Sequence, residues 1–349
     1  MSDLRTSDFD YQLPPERIAQ YALKDRAASR MLVVRRPGGP AVRRSDLEDS
    51  TFTEFPALLS KGDLLVLNTT RVRHARFLGT RPSGAPAEVL LIHPEPGGTW
   101  LAMGKPGSGL QPGKRIALGE DVFVETVTVH PDGNRSVRFA GASDQDAIER
   151  FGRLPLPPYI NREPGPEDDD LYQTVYAERE GSVAAPTAGL HFTPETLTRL
   201  EANGVRIGRL DLEVGPGTFK PVEVEDPARH QMHPERFEIP DALATAVRET
   251  RVGGGTIWAT GTTVVRALES AAEADGTLGP GQAETSLMIT PGFHFRVVDR
   301  LLTNFHLPRS TLLMLVSAFA GHELTMQAYQ HAVGQRYRFY SYGDAMVIL

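Results

Sequence analysis

The middle of this chain differs in rhythm from its two ends, and the difference restricts the folds that the whole chain can adopt. Between Val72 and Arg153, short apolar segments follow one another quickly and are separated by glycine and proline. Strands that are this short and evenly spaced predict a small antiparallel β-barrel. The Asp132-Gly133 pair predicts a tight hairpin turn between the last two of these strands.

On both sides of this stretch, strands and helices alternate. Apolar periodicity predicts helices at 52–59, 194–203, 241–251 and 262–274. Short apolar runs bounded by turn residues predict strands at 30–35, 63–68, 205–214 and 256–260. This alternation is typical of an α/β layer.

We therefore predict a two-domain α/β protein, in which a discontinuous α/β domain carries an inserted small antiparallel β-barrel domain. The α/β domain comprises residues 1–71 and 154–349, and the barrel domain comprises residues 72–153. At 349 residues the chain is long enough for two hydrophobic cores. Residues 161–170, which are rich in proline, glycine and aspartate, are expected to form a mobile surface loop.

Composition excludes several classes of site. The chain has no cysteine, so disulfides, thiolate metal sites and cysteine nucleophiles are excluded.

The first residues lack the apolar core of a signal peptide, and the longest apolar run, Thr311–Gly321, is too short to span a bilayer. We expect a cytoplasmic protein with no membrane partner. The net charge of −7 argues mildly against nucleic acid as a partner, although binding depends on local patches of charge.

A small, uncharged segment from Gly181 to Thr193 is the first candidate for a ligand site. Its glycine and alanine residues let the backbone approach a ligand closely, and its polar side chains lie at short intervals. The Thr-Pro-Glu sequence at 193–195 is typical of a helix start, so we expect His191 just before a helix N-terminus. The same composition suits a tightly packed crossover loop, and on the residues alone both interpretations stay open.

Two further segments combine a glycine turn with groups that bind anions. A strand is expected to run into Gly261, and a helix is expected to begin at Thr262 and Thr263, where free backbone N–H groups can bind a carboxylate or phosphate. In the Glu213–Val222 segment, a second strand leads into a glycine turn, where Lys220 could contact phosphate. An ordinary loop is the alternative for this second turn.

The C-terminal third of the chain contains the next candidates. Asn304 and His306 lie in a loop before an apolar helix predicted at 311–320. The segment from Tyr337 to Ile348 alternates aromatic residues with Arg338, and a nucleobase could bind there, beside Asp344. A buried closing strand would produce the same pattern.

Two clusters of charged or metal-binding side chains are further candidates for binding sites. Arg71 and Arg73 have the spacing of a strand, which places both side chains on one face, as a phosphate-binding surface requires. A solvated strand face is the alternative.

A possible metal site consists of three residues that lie close in sequence, His230, His233 and Glu235. They lack the spacing of a helical pair and a further anchoring ligand. We expect no metal.

Six segments, taken in order, resemble one known family. They are Leu67–Val72, Gly181–Thr193, Val214–Val222, Gly261–Ser270, Thr303–Gly321 and Tyr337–Ile348. Together they resemble the S-adenosylmethionine:tRNA ribosyltransferase-isomerase family of the queuosine pathway, and the match extends from Asp8 to the C-terminus. Two positions depart from the family pattern, since Glu213 stands where the family usually has His and Pro234 where Ser is common. The first departure puts any catalytic role of position 213 in doubt.

The resemblance implies an α/β domain with an inserted β-barrel, and an unusual reaction. The ribosyl group of S-adenosylmethionine, not its methyl group, is transferred to 7-aminomethyl-7-deazaguanine at the wobble position of tRNA. Adenine and methionine leave, and epoxyqueuosine-tRNA is the product. S-adenosylmethionine is therefore the expected cosubstrate and this tRNA the expected partner, and we expect a monomer.

The resemblance also implies roles for individual residues. The reaction needs a base, an acid for adenine and a neutral amine, and histidine suits proton transfer near neutral pH. The expected catalytic residues are His191, His306, Asp344 and Glu235. The residues expected to bind S-adenosylmethionine are Thr187, Phe192, Gly261, Thr262, Thr263 and Asn304. The residues expected to bind tRNA are Arg71, Arg73, Lys220 and Arg338.

Two other classes of function stay open. A methyltransferase would share the cosubstrate, but no glycine-rich turn follows the first strand with an acidic residue at the end of the next one. A non-catalytic tRNA-binding protein would bind RNA through the barrel and the arginines, and its small-residue loops would be purely structural.

Overall fold

The described residues form one large mixed sheet, a closed barrel and a two-stranded ribbon. The computed structural model describes residues 4–36, 46–119, 121–219 and 222–349. In chain order the strands are β1 (Arg30–Val34), β2 (Leu47–Thr51), β3 (Leu64–Asn68), β4 (Thr70–Val72), β5 (Arg76–Thr80), β6 (Pro86–Glu95), β7 (Thr99–Lys105), β8 (Arg115–Ala117), β9 (Phe123–Val129), β10 (Arg135–Ala140), β11 (Arg179–Ser182), β12 (Arg206–Leu212), β13 (Glu235–Ile239), β14 (Ile257–Thr260), β15 (Gly281–Thr285), β16 (Arg300–Asn304) and β17 (Ala345–Ile348). The α-helices are α1 (Asp144–Phe151), α2 (Asp168–Leu171), α3 (Pro194–Ala202), α4 (Asp241–Val252), α5 (Thr262–Ser270), α6 (Thr311–Ala320) and α7 (His322–Gly334).

The large sheet has nine strands in the order β15-β13-β12-β3-β14-β16-β17-β1-β2. Its central strands β12, β3, β14 and β16 are mutually parallel. At the edges, β15, β13 and β2 pair antiparallel with their neighbours. Because the four central strands are parallel, their carboxyl ends lie along the same edge of the sheet.

Both faces of the sheet are covered, and the sequence of β3 shows why. Leu64 and Val66 pack in an apolar cluster with helices α4 to α7, whereas Leu65 and Leu67 pack on the opposite face with α3. Successive side chains of a strand point to opposite faces, so a strand that is covered on both sides needs a continuous apolar run. The sheet is therefore the middle layer of a three-layer α/β domain.

Six strands close the barrel in the order β10-β7-β6-β5-β8-β9, with antiparallel pairing throughout. The predicted fold class, an α/β protein with a small antiparallel barrel, is confirmed. The Asp132-Gly133 turn joins β9 to β10, and Gly133 has a φ of 85°, in the left-handed region that favours glycine. The barrel strands run from Arg76 to Ala140. The domain boundaries at 72 and 153 stay a prediction.

Several local elements differ from their predictions for identifiable reasons. The segment predicted as a helix at 52–59 is a 3₁₀ helix, Phe52–Leu58, and it contains Pro56, which has no N–H for an α-helical bond. The helix predicted at 262–274 ends at Ser270. The pattern did not indicate β15, because four of its five residues are exposed and it has no apolar run.

The segment at 161–170 is anchored, in contrast to the predicted mobile loop. The Asp168 carboxylate is buried and accepts hydrogen bonds from Arg162 at 2.6 and 2.7 Å. The Tyr342 hydroxyl and the Gly165 N–H donate to the same carboxylate at 2.7 Å each. Burial acts to raise the pKa of Asp168, but these donors outweigh it and hold the pKa below its usual range. A polar composition cannot show which partner an aspartate finds in the fold.

Replacement of Asp168 by Asn is expected to destabilise the protein by about 3 kcal/mol, because Arg162 and Tyr342 lose a charged acceptor. The difference should be complete above about pH 4 and should shrink at lower pH, since the native carboxylate stays ionised to a lower pH than the unfolded one. Denaturant unfolding at pH 7 and pH 3 measures both effects. Asp226→Asn, which removes an exposed ion pair with Arg229, is the matched control and should cost less than about 1 kcal/mol. Equal losses for the two variants would contradict the anchoring role.

Candidate active site

A narrow cleft lies at the carboxyl edge of the parallel strands. It is found where β14 and β16 end, beside the chain segment that follows β11. Open α/β sheets bind ligands at this edge, outside the carboxyl ends of their strands. The cleft has a volume of about 60 Å³, and its lining includes Ala184–Ala188, Gly261–Thr263, Thr303–Leu307 and Tyr340.

Small residues bring the segment after β11 to this edge. Ser182 Oγ lies 2.7 Å from Thr70 Oγ1 and accepts a hydrogen bond from the Val214 N–H at 2.7 Å. The segment then forms a 3₁₀ helix, Thr187–His191. A methyl group at Gly189 would lie 2.2 Å from the Tyr176 hydroxyl, so no side chain fits there without a shift. The segment is therefore tightly packed and also lines the cleft, which unites the two interpretations of its sequence.

The first turn of α5 forms another wall of the cleft. Gly261 has a φ of 90°, and its N–H donates to the Leu302 carbonyl at 2.7 Å. Thr262 and Thr263 follow, and both are buried. The first turn of an α-helix has backbone N–H groups without intrahelical partners, and the helix dipole favours negative charge there. This end of the cleft is suited to a carboxylate or a phosphate.

His306 is the predicted catalytic histidine that lines the cleft. Its Nε2 lies 2.8 Å from Thr303 Oγ1, and its backbone N–H donates to the Tyr329 hydroxyl at 3.0 Å. Burial lowers the pKa of His306 to about 3. The imidazole is therefore neutral near pH 7 and can accept a proton.

His191 lies behind Asn304 and does not line the cleft. Its Nδ1 is 2.8 Å from Ser29 Oγ, and its Nε2 is 3.2 Å from Asn304 Nδ2. Burial lowers the pKa of His191 to about 3, with smaller contributions from the positive charges of Arg338 and Arg26. This imidazole is also neutral near pH 7.

Five of the six residues predicted to bind S-adenosylmethionine line the cleft; they are Thr187, Gly261, Thr262, Thr263 and Asn304. Phe192 lies elsewhere, fully buried in the core on the other face of the sheet. Its ring makes edge-to-face contacts with Phe52 and Phe55, at centroid distances of 5.1 and 5.6 Å. An aromatic residue within a motif can pack in the core or contact a ligand, and the sequence does not distinguish these two roles.

The two carboxylates predicted as catalytic lie outside the cleft. Asp344 accepts hydrogen bonds from two backbone N–H groups at 3.0 and 2.8 Å, and burial raises the pKa of its carboxyl group. Glu235 accepts a hydrogen bond from the Gly215 N–H at 3.1 Å and forms a buried ion pair with Arg266. Both groups hold the backbone around the site, and their catalytic role stays a prediction.

The cations predicted to bind tRNA are dispersed. Arg71 is exposed in β4, where its guanidinium donates to a backbone carbonyl at 3.3 Å. Arg73 is half-buried with its guanidinium 4.9 Å from the centre of the Trp100 ring. Arg338 is half-buried behind the site, and Lys220 lies outside the described residues. Their contacts with RNA stay a prediction.

Two other sequence features lie away from the cleft. A methyl group at Gly181 would lie 2.9 Å from Glu213 Cγ, so the side chain at this divergent position packs outside the cleft. A methyl group at Gly217 would lie 2.9 Å from His233 Cδ2. Across the described ranges, no group of three or more His, Cys, Asp or Glu side chains is arranged to hold a metal ion. None of the helices in those ranges is long and apolar enough to cross a membrane.

Two tyrosines complete the cleft: Tyr340, which lies in the Tyr337–Ile348 segment, and Tyr159, which no sequence motif indicated. The Tyr159 and Tyr340 rings stack with their centroids 4.4 Å apart. Tyr340 has a φ of 71°, and its hydroxyl is buried with no hydrogen-bond partner within the described structure. Residues with side chains rarely adopt this backbone region, and such strain is concentrated at functional sites. The sequence does not indicate the left-handed conformation of Tyr340, because asparagine and glycine are the residues that usually adopt this conformation.

A larger cavity of about 670 Å³ adjoins the cleft and lies between the barrel and the α/β domain. Leu90, Met103 and Lys105 line it on the barrel side, and residues 155–158 and 160–163 line it on the other. The cavity and the cleft are lined by adjacent residues of one segment, since Val183 lines the cavity and Ala184 lines the cleft.

An α/β sheet with an inserted barrel, a cleft at the carboxyl edge of the sheet and a cavity beside the barrel is the arrangement expected of a ligand-binding α/β protein. Comparison with known proteins shows the family to which the chain belongs. The profile of the family described as "Queuosine biosynthesis protein" matches residues 6–348. The chain therefore belongs to this family, and the resemblance inferred from the six sequence segments is confirmed.

Individual relatives match over the full chain. The S-adenosylmethionine:tRNA ribosyltransferase-isomerase of Symbiobacterium thermophilum is 50% identical over 349 residues, which cover 99% of this chain and 100% of that protein. The protein of the same name from Cupriavidus pinatubonensis is 53% identical, with 99% of each chain covered. The crystal structure of S-adenosylmethionine tRNA ribosyltransferase from Thermotoga maritima is also similar, with 36% sequence identity and a TM-score of 0.55. The structural match covers 98% of this chain and 100% of that chain.

Replacement of Gly189 by Ala tests the packing of the small-residue segment. We expect a loss of about 1–3 kcal/mol in stability, because the added methyl group meets the buried Tyr176 hydroxyl and the Thr174 methyl group, at 2.2 and 2.8 Å. Gly334→Ala is the control, since a methyl group there meets nothing within 4 Å. Thermal unfolding compares the two variants. An unchanged Tm for the Gly189 variant would contradict the packing argument.

Proposed function

We propose that this protein transfers the ribosyl group of S-adenosylmethionine to 7-aminomethyl-7-deazaguanine at the wobble position of tRNA and isomerises it. The products are epoxyqueuosine-tRNA, adenine and methionine. The main support is the identity of 50 and 53%, over the full chain, with two proteins named S-adenosylmethionine:tRNA ribosyltransferase-isomerase. We further propose that the protein acts as a monomer in the cytoplasm, where its tRNA substrate is found.

The cleft is proposed to bind S-adenosylmethionine. The free N–H groups in the first turn of α5, together with Thr262 and Thr263, would bind the methionine carboxylate. Pockets for ligands of this size have volumes of about 300–1,000 Å³, so a cleft of about 60 Å³ has to widen or share the adjoining cavity.

His306 is proposed as the base. The positive sulfur of S-adenosylmethionine makes the hydrogens on the adjacent ribose carbon acidic, and a neutral imidazole at the cleft surface can remove one of them. Thr303 Oγ1, 2.8 Å from Nε2, fixes the orientation of the ring. Among the described residues nothing pairs with Nδ1, so this nitrogen can face the ligand. Asp344 and Glu235 are proposed to act indirectly, through the backbone and the helix that they hold.

The adjoining cavity is proposed to receive the RNA nucleotide that carries the acceptor amine. The cavity, at about 670 Å³, is large enough for a nucleotide, and Leu90 and Met103 offer an apolar wall against which a base can pack. Arg76 at the same wall is neutralised by Glu88 and Glu163, at 3.1 Å each, whereas Lys105 is exposed and suited to a phosphate. Arg71, Arg73, Lys220 and Arg338 are kept as proposed contacts to more distant phosphates.

Incubation with S-adenosylmethionine and tRNA containing the modified base tests the function, and His306→Gln tests the base. The wild-type protein should release free adenine and methionine. His306→Gln should lower that release by about 100-fold or more, because an amide cannot accept the proton, while binding of S-adenosylmethionine is retained. Product analysis and calorimetric titration measure the two quantities.

Other outcomes of the same assay favour the alternatives. Formation of S-adenosylhomocysteine would show methyl transfer, and tight tRNA binding without turnover would indicate a binding protein. Wild-type turnover by a folded His306→Gln variant would remove His306 from the proposed proton transfer.

Leu90→Trp tests the proposed nucleotide cavity, because the larger ring fills part of the space between the domains. We expect tRNA affinity to fall by about tenfold or more, a loss typical of a blocked contact, with the affinity for S-adenosylmethionine unchanged. Val127→Trp, on an exposed position of β9 that does not line the cavity, is the matched control. Filter binding and calorimetry measure the two affinities. Equal tRNA affinities for the two variants would contradict the placement of the nucleotide.

A further inference from the structure

The orientation of the Asn304 carboxamide is fixed by its neighbours. Its Nδ2 donates to the Tyr340 carbonyl at 3.3 Å and lies 3.2 Å from His191 Nε2. A reversed amide would place Oδ1 against that carbonyl, which accepts hydrogen bonds and cannot donate one. Oδ1 consequently occupies the other end of the amide, where it is buried and has no hydrogen-bond partner in the described part of the chain.

The same geometry fixes the tautomer of His191. Because Nε2 accepts from Asn304 Nδ2, the proton of the neutral ring is on Nδ1, which donates to Ser29 Oγ at 2.8 Å. The Ser29 hydroxyl in turn donates to the Arg26 carbonyl at 3.3 Å. A single directed chain therefore extends from the Arg26 carbonyl to the wall of the cleft, and every polar atom in it is paired except Asn304 Oδ1.

An unpaired buried acceptor costs free energy, and one that lies in the wall of a cleft can recover this cost by accepting a hydrogen bond from a bound ligand. Asn304 is 1% exposed and lines the cleft. We propose that Asn304 Oδ1 accepts a hydrogen bond from the bound cosubstrate, and that His191 is a positioning residue that keeps the carboxamide in this orientation. Ser29 holds His191 in the required tautomer. In this arrangement His191 itself does not contact the cosubstrate.

The donor that Oδ1 requires is an N–H or O–H group on the small ligand. The inference rests on the proposed function for the identity of that ligand, since S-adenosylmethionine offers its ribose hydroxyls, its adenine amino group and its methionine ammonium group. Analogues that lack the 2′-hydroxyl, the 3′-hydroxyl, the 6-amino group or the α-amino group distinguish these sources. The wild-type protein should bind the analogue that lacks the true donor about tenfold more weakly than S-adenosylmethionine. The Asn304→Leu variant should bind this analogue and S-adenosylmethionine with equal, weak affinity.

Two substitutions of His191 separate positioning from proton transfer. Glutamine can place its Oε1 near the position of Nε2 and so accept from Asn304 Nδ2, whereas asparagine reaches only the position of Nδ1. Neither amide can act as a base. We expect His191→Gln to retain S-adenosylmethionine affinity and turnover within about threefold of wild type, and His191→Asn to lose about tenfold or more in affinity.

The pH dependence gives a second, independent result. His191 is faced by the cations Arg26 and Arg338, by the hydroxyl of Ser29 and by the amide of Asn304, and burial among them keeps it neutral. The pH profile of turnover in His191→Gln should therefore match that of the wild type. Loss of turnover in both His191 variants while they bind the cosubstrate normally would overturn the inference and support His191 as a base.

Ser29→Ala provides a smaller change if the His191 variants do not fold. It removes the acceptor for Nδ1, and a several-fold weaker affinity for S-adenosylmethionine with an unchanged pH profile is expected. Wild-type affinities in both Ser29→Ala and Asn304→Leu would overturn the inference. Failure of the wild-type protein to bind S-adenosylmethionine would instead overturn the proposed function, so the two failures are distinguishable.

Discussion

The architecture depends on the way in which two parallel strands separate at their carboxyl ends. β3 must lead into the barrel and β12 must lead toward the cleft, so their backbone ladder has to stop. At the end of β3, hydrogen bonds from the Asn68 side chain take the place of the backbone hydrogen bonds between the two strands. Its Oδ1 accepts from the Leu212 and Thr70 N–H groups at 3.0 and 3.2 Å, and its Nδ2 donates to the Leu212 carbonyl at 3.0 Å. One side chain thus satisfies backbone groups that would otherwise be buried without partners.

The space that this separation opens is filled by the small-residue segment. Ser182 bonds to Thr70 Oγ1 and to the Val214 N–H, one group from each of the diverging chains. The residues that follow, Val183 and Ala184, divide between the large cavity and the cleft. The same polar contacts that end the sheet therefore place the cavity and the cleft side by side.

Burial is the common cause of the chemical state of the cleft. It keeps both His191 and His306 neutral, and it leaves Asn304 Oδ1 and the Tyr340 hydroxyl without partners among the described groups. These features, together with the left-handed backbone at Tyr340, raise the free energy of the folded protein. A left-handed residue and unpaired polar groups in the wall of a cleft suit a site that a ligand completes.

Local rules determined much of the architecture from the sequence alone. The continuous apolar run of β3, the hairpin at Asp132-Gly133 and the helix starts at Thr193 and Gly261 follow from side-chain periodicity and backbone preferences, which act over a few residues. The motif segments also indicated most residues of the cleft, including Thr262 and His306. Such signals lie within single stretches of chain.

Only the tertiary structure decided which of these residues line the cleft. Phe192 belongs to the core and His191 lies behind Asn304, although both stand in the same segment as Thr187, which lines the cleft. Asp168 anchors a segment whose composition predicted a mobile loop, because its carboxylate accepts a hydrogen bond from Tyr342, which is far away in sequence. The physical reason is the same in each case: the role of a polar or aromatic side chain is set by partners that are distant in sequence, and these partners are brought together only by folding.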